Sequence, residues 1–186
     1  RAAFILQKRI FRPRRHEELN QVAFGTGGWR AVIGEGFTLH NVRRLCQALA
    51  NNITRRGDER NGVLIGYDRR FLSDHAAVAA AEVFSGNNIR AILLEEDAPT
   101  PLVEYATASL KCAYGLIFTA SHNPPEWNGL KVFRSDGSLL QDEEVRQIEA
   151  ETNSLGLEDV VKIDLDLALE AGIAEYRDFT NEYVDA

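Results

Sequence analysis

The sequence predicts an α/β layered domain, and three observations carry that expectation. Short apolar runs of strand character alternate with longer stretches of helical periodicity, the order of elements that pack as helices on a sheet. Gly, Pro and capping residues fall at the junctions between them. The chain has 186 residues, 45% of them hydrophobic, enough for one domain with its own core.

The elements follow in chain order. A short apolar run, Phe4-Ile5-Leu6, precedes a basic stretch from Arg9 to Arg15. The run is too short for the core of a secretion signal, and no small-residue cleavage pattern follows it. Residues 1–21 are read as an N-terminal extension. A glycine-rich loop comes next, Phe24-Gly25-Thr26-Gly27-Gly28-Trp29-Arg30, with a short strand near Ala31 to Ile33. Thr38 is placed to cap a helix from Leu39 to Arg56, where Val42, Leu45, Cys46, Leu49 and Ile53 recur at helical spacing and Gly57 ends the run.

Val63-Leu64-Ile65-Gly66 reads as a buried strand. Ser73 is expected to cap the following Ala-rich helix, which runs to Phe84 before Gly86. Ala91 to Leu94 is another strand, and Thr100-Pro101 sets an N-cap and a proline at the first helical position. Tyr114 to Phe118 is a fourth strand. Asn128-Gly129 is a turn signal ahead of a fifth strand, Leu130 to Phe133, and Asp136-Gly137 marks a further turn. Gln141 to Asn153 has an exposed helical pattern. The tail from Leu155 is acidic and less patterned, with a last helix expected from Ala174 to Val184.

Composition narrows the class. The net charge of −7 argues against general nucleic-acid binding, though a few local arginines can still hold an anionic substrate. No stretch approaches the ~18 consecutive apolar residues of a membrane span. Cys46 and Cys112 each sit in apolar context and are expected to be buried free thiols. Together these features suggest a cytoplasmic protein with neither nucleic acid nor membrane as partner. The chain contains no methionine, so residue 1 is not a retained initiator.

Chemistry concentrates in Thr119-Ala120-Ser121-His122-Asn123-Pro124-Pro125. Ser121 follows an apolar strand, and open α/β sheets bind ligands at the carboxyl ends of their strands. Pro124 and Pro125 stiffen the backbone behind it and restrict Asn123. A stiff loop can hold a nucleophile ready to attack. His122 is placed to hydrogen-bond a phosphate on the serine. Lys131, on the next strand, is placed to neutralise a transferring phosphoryl group or to move a proton. Read from residues alone, the loop also fits a Ser-His pair in a structural turn. A serine hydrolase fits less well, since adjacent Ser and His do not form the usual triad and no Gly-x-Ser-x-Gly elbow is present.

The longer run Thr119 to Lys131 resembles the active-serine segment of the α-D-phosphohexomutases, the family of phosphoglucomutase, phosphomannomutase and phosphoglucosamine mutase. Phe24 to Arg30 resembles the family's Phe-Gly-Thr-Ser-Gly-x-Arg segment, with Gly27 in place of the usual serine. Gly66-Tyr67-Asp68-Arg69-Arg70 resembles its Gly-x-Asp-x-Arg segment, and Pro99-Thr100-Pro101 matches a family turn. The likeness runs from Val22 to Leu140.

It implies a three-layer α/β/α sandwich on a mixed, mostly parallel sheet. Residues 22–175 would form the family's domain I, and residues 176–186 the start of a connection to a second domain. It implies catalytic roles for Ser121, His122, Lys131 and Arg30, and phosphate contacts from Thr26, Gly27, Arg30, Asn123 and Arg70. Asp68 and Arg70 are read chiefly as scaffolding near the site. The implied reaction interconverts hexose 1- and 6-phosphates, glucose before mannose, through a phosphoserine and a hexose 1,6-bisphosphate. Mg²⁺ would be bound by phosphorylated Ser121 and by the aspartates of an Asp-Gly-Asp-x-Asp-Arg loop. That run does not occur in these residues. The expected partners are the sugar phosphate and the remaining domains of a longer parent, without which no turnover is expected. The alternative is a non-catalytic binding or regulatory module derived from the same domain.

Overall fold

Seven strands form one sheet in a computed structural model, which describes residues 21–186. The expectations for residues 1–20 lie outside the described residues. The strands are β1 (Phe24–Gly25), β2 (Gly28–Val32), β3 (Val63–Tyr67), β4 (Ala91–Leu94), β5 (Tyr114–Phe118), β6 (Trp127–Phe133) and β7 (Ala174–Arg177). They lie in the order β1-β2-β6-β5-β3-β4-β7. The pairs β3–β4, β3–β5 and β4–β7 are parallel. The pairs β1–β2, β2–β6 and β5–β6 are antiparallel. The sheet is therefore mixed, with parallel pairing confined to one half rather than dominant.

Six α-helices among the described residues cover it: α1 (Leu39–Arg56), α2 (Ser73–Gly86), α3 (Thr100–Leu110), α4 (Asp142–Ser154), α5 (Leu165–Glu170) and α6 (Thr180–Val184). One core joins α1, α2, α4 and α5 to Trp29, Ile65, Leu93, Leu116, Phe118 and Leu130. A second joins Leu64, Ile92, Ile117 and Phe133 to Leu102, Val103 and Ala106 of α3, with Tyr183 of α6 packed against it. Alternate residues of one strand thus serve opposite faces, as the pleat requires, and the result is the three-layer sandwich. The central parallel strands are buried on both faces, which is why they read as unbroken apolar runs. Each Leu, Ile or Phe so buried contributes about 1.5–3 kcal/mol of transfer free energy.

Local chemistry sets several boundaries. Thr38 caps α1, its hydroxyl accepting from Asn41 N at 3.2 Å, and Gly57 closes the helix in a left-handed conformation. Gln141 and Glu144 form a capping box at the start of α4. Both cysteines are buried and free. Burial pushes the Cys112 thiol up to about 11, so it is unreactive near neutral pH. No described helix is long and apolar enough to cross a membrane.

Four sequence expectations are corrected. Ser73 is the first residue of α2 and not its cap; Leu72 precedes it with φ 66°, and the Ser73 hydroxyl turns to Asp68 instead. Thr100 likewise lies inside α3, after Pro99. Asn128-Gly129 is no turn but part of β6, paired with Ala31 and Arg30; the chain reverses earlier, between Phe118 and Trp127. The helix expected from Ala174 is split into β7 and the short α6, because Ala174 to Arg177 find an edge on β4. β7 therefore runs across the boundary expected between residues 175 and 176.

Candidate active site

Ser121 stands three residues beyond β5, at the carboxyl edge shared by the parallel strands. Its backbone has φ 53°, the left-handed region that a residue with a Cβ rarely enters. Local bonds support it. Ser121 N donates to Thr119 Oγ1 at 3.0 Å, and Asn123 N donates to Ala120 O at 3.1 Å. Trp127 N donates to Pro124 O at 3.0 Å before β6 begins. Ser121 is half-buried and His122 beside it is exposed.

Beneath the loop lies Arg70. Its Nη1 donates to Pro124 O at 2.9 Å and Trp127 O at 3.0 Å. Its Nη2 donates to Ser121 O and Asn123 O, each at 2.8 Å. Its Nε faces Asp68 Oδ2 at 3.4 Å. A guanidinium has five N–H donors; the four on Nη1 and Nη2 are engaged by the loop, and Nε faces the Asp68 carboxylate. The scaffolding role expected of Arg70 is directly visible in these bonds.

Arg30, on β2, reaches the same loop, with Nη1 3.4 Å from Asn123 Oδ1. Its Nε is buried without a hydrogen-bond partner among the described residues. A buried donor left over next to this loop fits an acceptor such as a phosphate oxygen. Arg30 lies opposite Gly129 of β6, and Lys131 stands two residues along on the same face. Close approach is built in here. A Cβ on Gly129 would collide with Trp29 O and lie 3.0 Å from Arg30 Cα, and one on Gly28 would come within 3.1 Å of Lys131 Cγ. The structure thus brings together Ser121, Asn123, Arg30 and Arg70, with Lys131 farther down the face.

Thr26 and Gly27 are not brought to this loop. The glycine segment folds as the tight β1–β2 hairpin, with Phe24 opposite Trp29 and Gly25 opposite Gly28. Those two residues form its turn. By register the end of β5 at Phe118 lies level with Leu130 and Trp29, so at about 3.3 Å per residue the turn stands ~7–10 Å along β2 from the edge that carries Ser121. It borders a cavity of about 620 Å³ that also involves Leu139, Leu140 and Glu149, on the α4 side of the hairpin.

The expected pairing of Asp68 with Arg70 is present, and the structure adds Ser73 and Asn128, which the sequence did not place there. Asp68 Oδ1 accepts from Arg70 N at 2.9 Å and from Ser73 Oγ at 2.8 Å. Asn128, fully buried, donates to Ser73 Oγ at 2.9 Å and to Phe71 O at 3.0 Å. An Asp two residues before an Arg is a readable signal for a carboxylate accepting the i+2 amide; the Asn128 link depends on tertiary pairing. Among the described residues no group of three or more His, Cys, Asp or Glu is placed to hold a metal ion. The donors present here do not by themselves fit Mg²⁺, a hard cation that demands near-octahedral oxygen coordination.

The family model "Phosphoglucomutase/phosphomannomutase, alpha/beta/alpha domain I" matches residues 21–158. A phosphoglucomutase from Staphylococcus saprophyticus is 30% identical over 97% of the chain and 34% of its own length. A phosphoglucosamine mutase from Alkaliphilus oremlandii is 34% identical over 87% of the chain and 37% of its own. The solved structure of a Thermus thermophilus protein assigned as a phosphomannomutase superposes with a TM-score of 0.75 at 32% identity, covering 88% of this chain and 35% of that one. The chain thus spans about a third of the length of these relatives. By sequence, fold and the placement of its serine loop, the chain belongs to the α-D-phosphohexomutase family and carries that family's α/β/α domain I.

Proposed function

We propose that this chain is the phosphate-carrying domain of a phosphohexomutase, with Ser121 as the carrier. The observation that supports it most is the Ser121 loop itself. A serine with φ 53° is held at the carboxyl edge of the sheet by Arg70, with the unpartnered Nε of Arg30 nearby. Strain of this kind persists where surrounding structure over-determines it, and such positions cluster at reactive sites.

In the proposed reaction, phosphorylated Ser121 gives its phosphoryl group to a free hydroxyl of a hexose phosphate. The Oγ–P bond breaks and a new O–P bond forms on the sugar. Lys131 supplies a proton to the departing Oγ and is recharged by the proton the sugar hydroxyl sheds. Arg30 offers its planar fork to phosphate oxygens, and the exposed His122 hydrogen-bonds the phosphoserine. The hexose 1,6-bisphosphate then turns and returns its other phosphoryl group to Ser121 by the reverse step. Catalysis of this kind is mostly positioning and charge stabilisation.

Glucose phosphates come first among the substrates and mannose phosphates second, supported by two relatives named phosphoglucomutase. Mg²⁺ belongs to the proposal as an ion shared between phosphorylated Ser121 and carboxylates of a further domain. The setting we propose is a longer, cytoplasmic parent protein.

The test is mass spectrometry of the full-length protein after incubation with glucose 1,6-bisphosphate. Phosphate on Ser121 is expected, and Ser121→Ala should lose both the label and mutase turnover. Turnover retained by that variant refutes the carrier role. Turnover on glucose 1-phosphate against mannose 1-phosphate ranks the sugars.

A further inference from the structure

We propose that Arg70 is a positioning residue for the reaction, fixing the Ser121 backbone in its left-handed conformation by gathering the loop's carbonyl oxygens onto one guanidinium. This rests on the reading of Ser121 as the phosphate carrier.

The loop has little internal means of holding its shape. Pro124 and Pro125 have no N–H to donate, and only two backbone bonds, Asn123 N to Ala120 O and Trp127 N to Pro124 O, lie within it. Four carbonyls, from Ser121, Asn123, Pro124 and from Trp127 where β6 begins, converge on Arg70 at 2.8–3.0 Å. A guanidinium is the side chain with enough N–H groups in a fixed plane to serve four carbonyls at once. A lysine would keep the charge and lose the fork.

The clamp is anchored on both sides of β5. Asp68, just past β3, faces Arg70 Nε at 3.4 Å and accepts Arg70 N and Ser73 Oγ. Ser73 in turn accepts from Asn128 at the start of β6. Since β6, β5 and β3 are neighbours in that order, the network spans the edge from which the Ser121 loop springs. Its parts are half-buried or buried: the Arg70 side chain is 15% exposed, and Ser73 and Asn128 are fully enclosed. The four Nη donors of the guanidinium are thus spent on the loop's backbone. Its loss would shift the nucleophile without changing the groups that bind the sugar.

The experiment uses the full-length protein and compares Arg70→Lys, Arg70→Ala and Asp68→Asn with wild type and Ser121→Ala. A misplaced nucleophile costs on the order of 100-fold in rate, so kcat per folded molecule is expected to fall by about that factor in both Arg70 variants. KM for the sugar phosphate should stay within roughly twofold, the pattern of an interaction used in the transition state alone. Millimolar guanidinium should restore part of the kcat of Arg70→Ala and none of Ser121→Ala. If Arg70→Ala fails to fold, Arg70→Lys and Asp68→Asn answer the same question. A kcat near wild type in Arg70→Lys, or a loss confined to KM, overturns the proposal. Hydrogen exchange over residues 119–127 reads the clamp without turnover: faster exchange in the variants, with β4 unchanged, supports it, and unchanged exchange overturns it. A wild-type protein without mutase activity refutes the carrier reading instead, and the exchange measurement then decides the clamp alone.

Discussion

The two halves of the sheet are built for different purposes. In the parallel half, β3, β4 and β5 are buried along almost their whole length. In the antiparallel half, β2 is half-buried at every residue but Trp29, and β6 is half-buried at Trp127 and Lys131. The difference follows from the helices. α3 covers one face of the parallel strands, while α1 and α2 cover the other. Arg30 and Lys131 lie on the partly open face of β2 and β6, so charged side chains can stay there without the cost of full burial. Burial is concentrated in the parallel half, and the charged residues proposed for catalysis lie on the antiparallel one. Ser121 sits at the junction, on the segment that joins β5 to β6.

The largest effects should separate the halves. Phe118 is fully buried at the end of β5, so Phe118→Ala is expected to lower unfolding stability by about 3–5 kcal/mol, read by equilibrium urea denaturation. Lys131→Ala should do the reverse. Its stability change is expected to stay within about 0.5 kcal/mol, while mutase turnover of the full-length protein falls at least ~100-fold through loss of proton transfer. A Lys131 variant as destabilised as Phe118→Ala, with normal turnover, would break the division.

A smaller effect tests the seam inside the antiparallel half. Gly129→Ala places a Cβ against Trp29 O and Arg30 Cα, backbone atoms with no flexible end to move aside. The strands must separate slightly, at a cost of about 1–3 kcal/mol. Because Arg30 lies across from Gly129, turnover should fall as well. Unchanged stability would show that β2 and β6 tolerate separation.

The sequence was most readable where one local rule decides. Unbroken apolar runs marked β3, β4 and β5, and Thr38 and Gly57 bracketed α1. The Ser121 loop stood out through its two prolines and its place after an apolar strand. Partner choice hid the rest. Ser73 looks like a cap but satisfies Asp68. Asn128-Gly129 looks like a turn, yet ladder bonds to β2 hold it extended. Ala174 to Arg177 has little strand character of its own and is a strand because β4 offers it an edge. Arg70 matched a motif, but nothing local shows that its donors close on carbonyls more than fifty positions away.

The smallest effect concerns how the antiparallel half is tied to the rest from behind. α4 follows β6 and lies against α1 through Arg55, whose Nη2 reaches Glu151 Oε2 at 2.6 Å, and Asn51, whose Nδ2 reaches Glu151 Oε1 at 2.8 Å. The hydrogen bond from Arg55, foremost, holds the Glu151 carboxyl below the usual carboxylate range. A carboxylate depressed in the folded state adds stability above its unfolded value, and this is lost as pH falls through its folded value. Glu151→Gln should therefore cost less than about 1 kcal/mol near neutral pH, since Arg55 is largely exposed and the pair is screened by water and salt. The gap between variant and wild type should close as the pH is lowered through the acid range, and should narrow in high salt at neutral pH. A constant gap at every pH would mean that α4 is held to α1 by packing, with the ion pair contributing nothing to the seam.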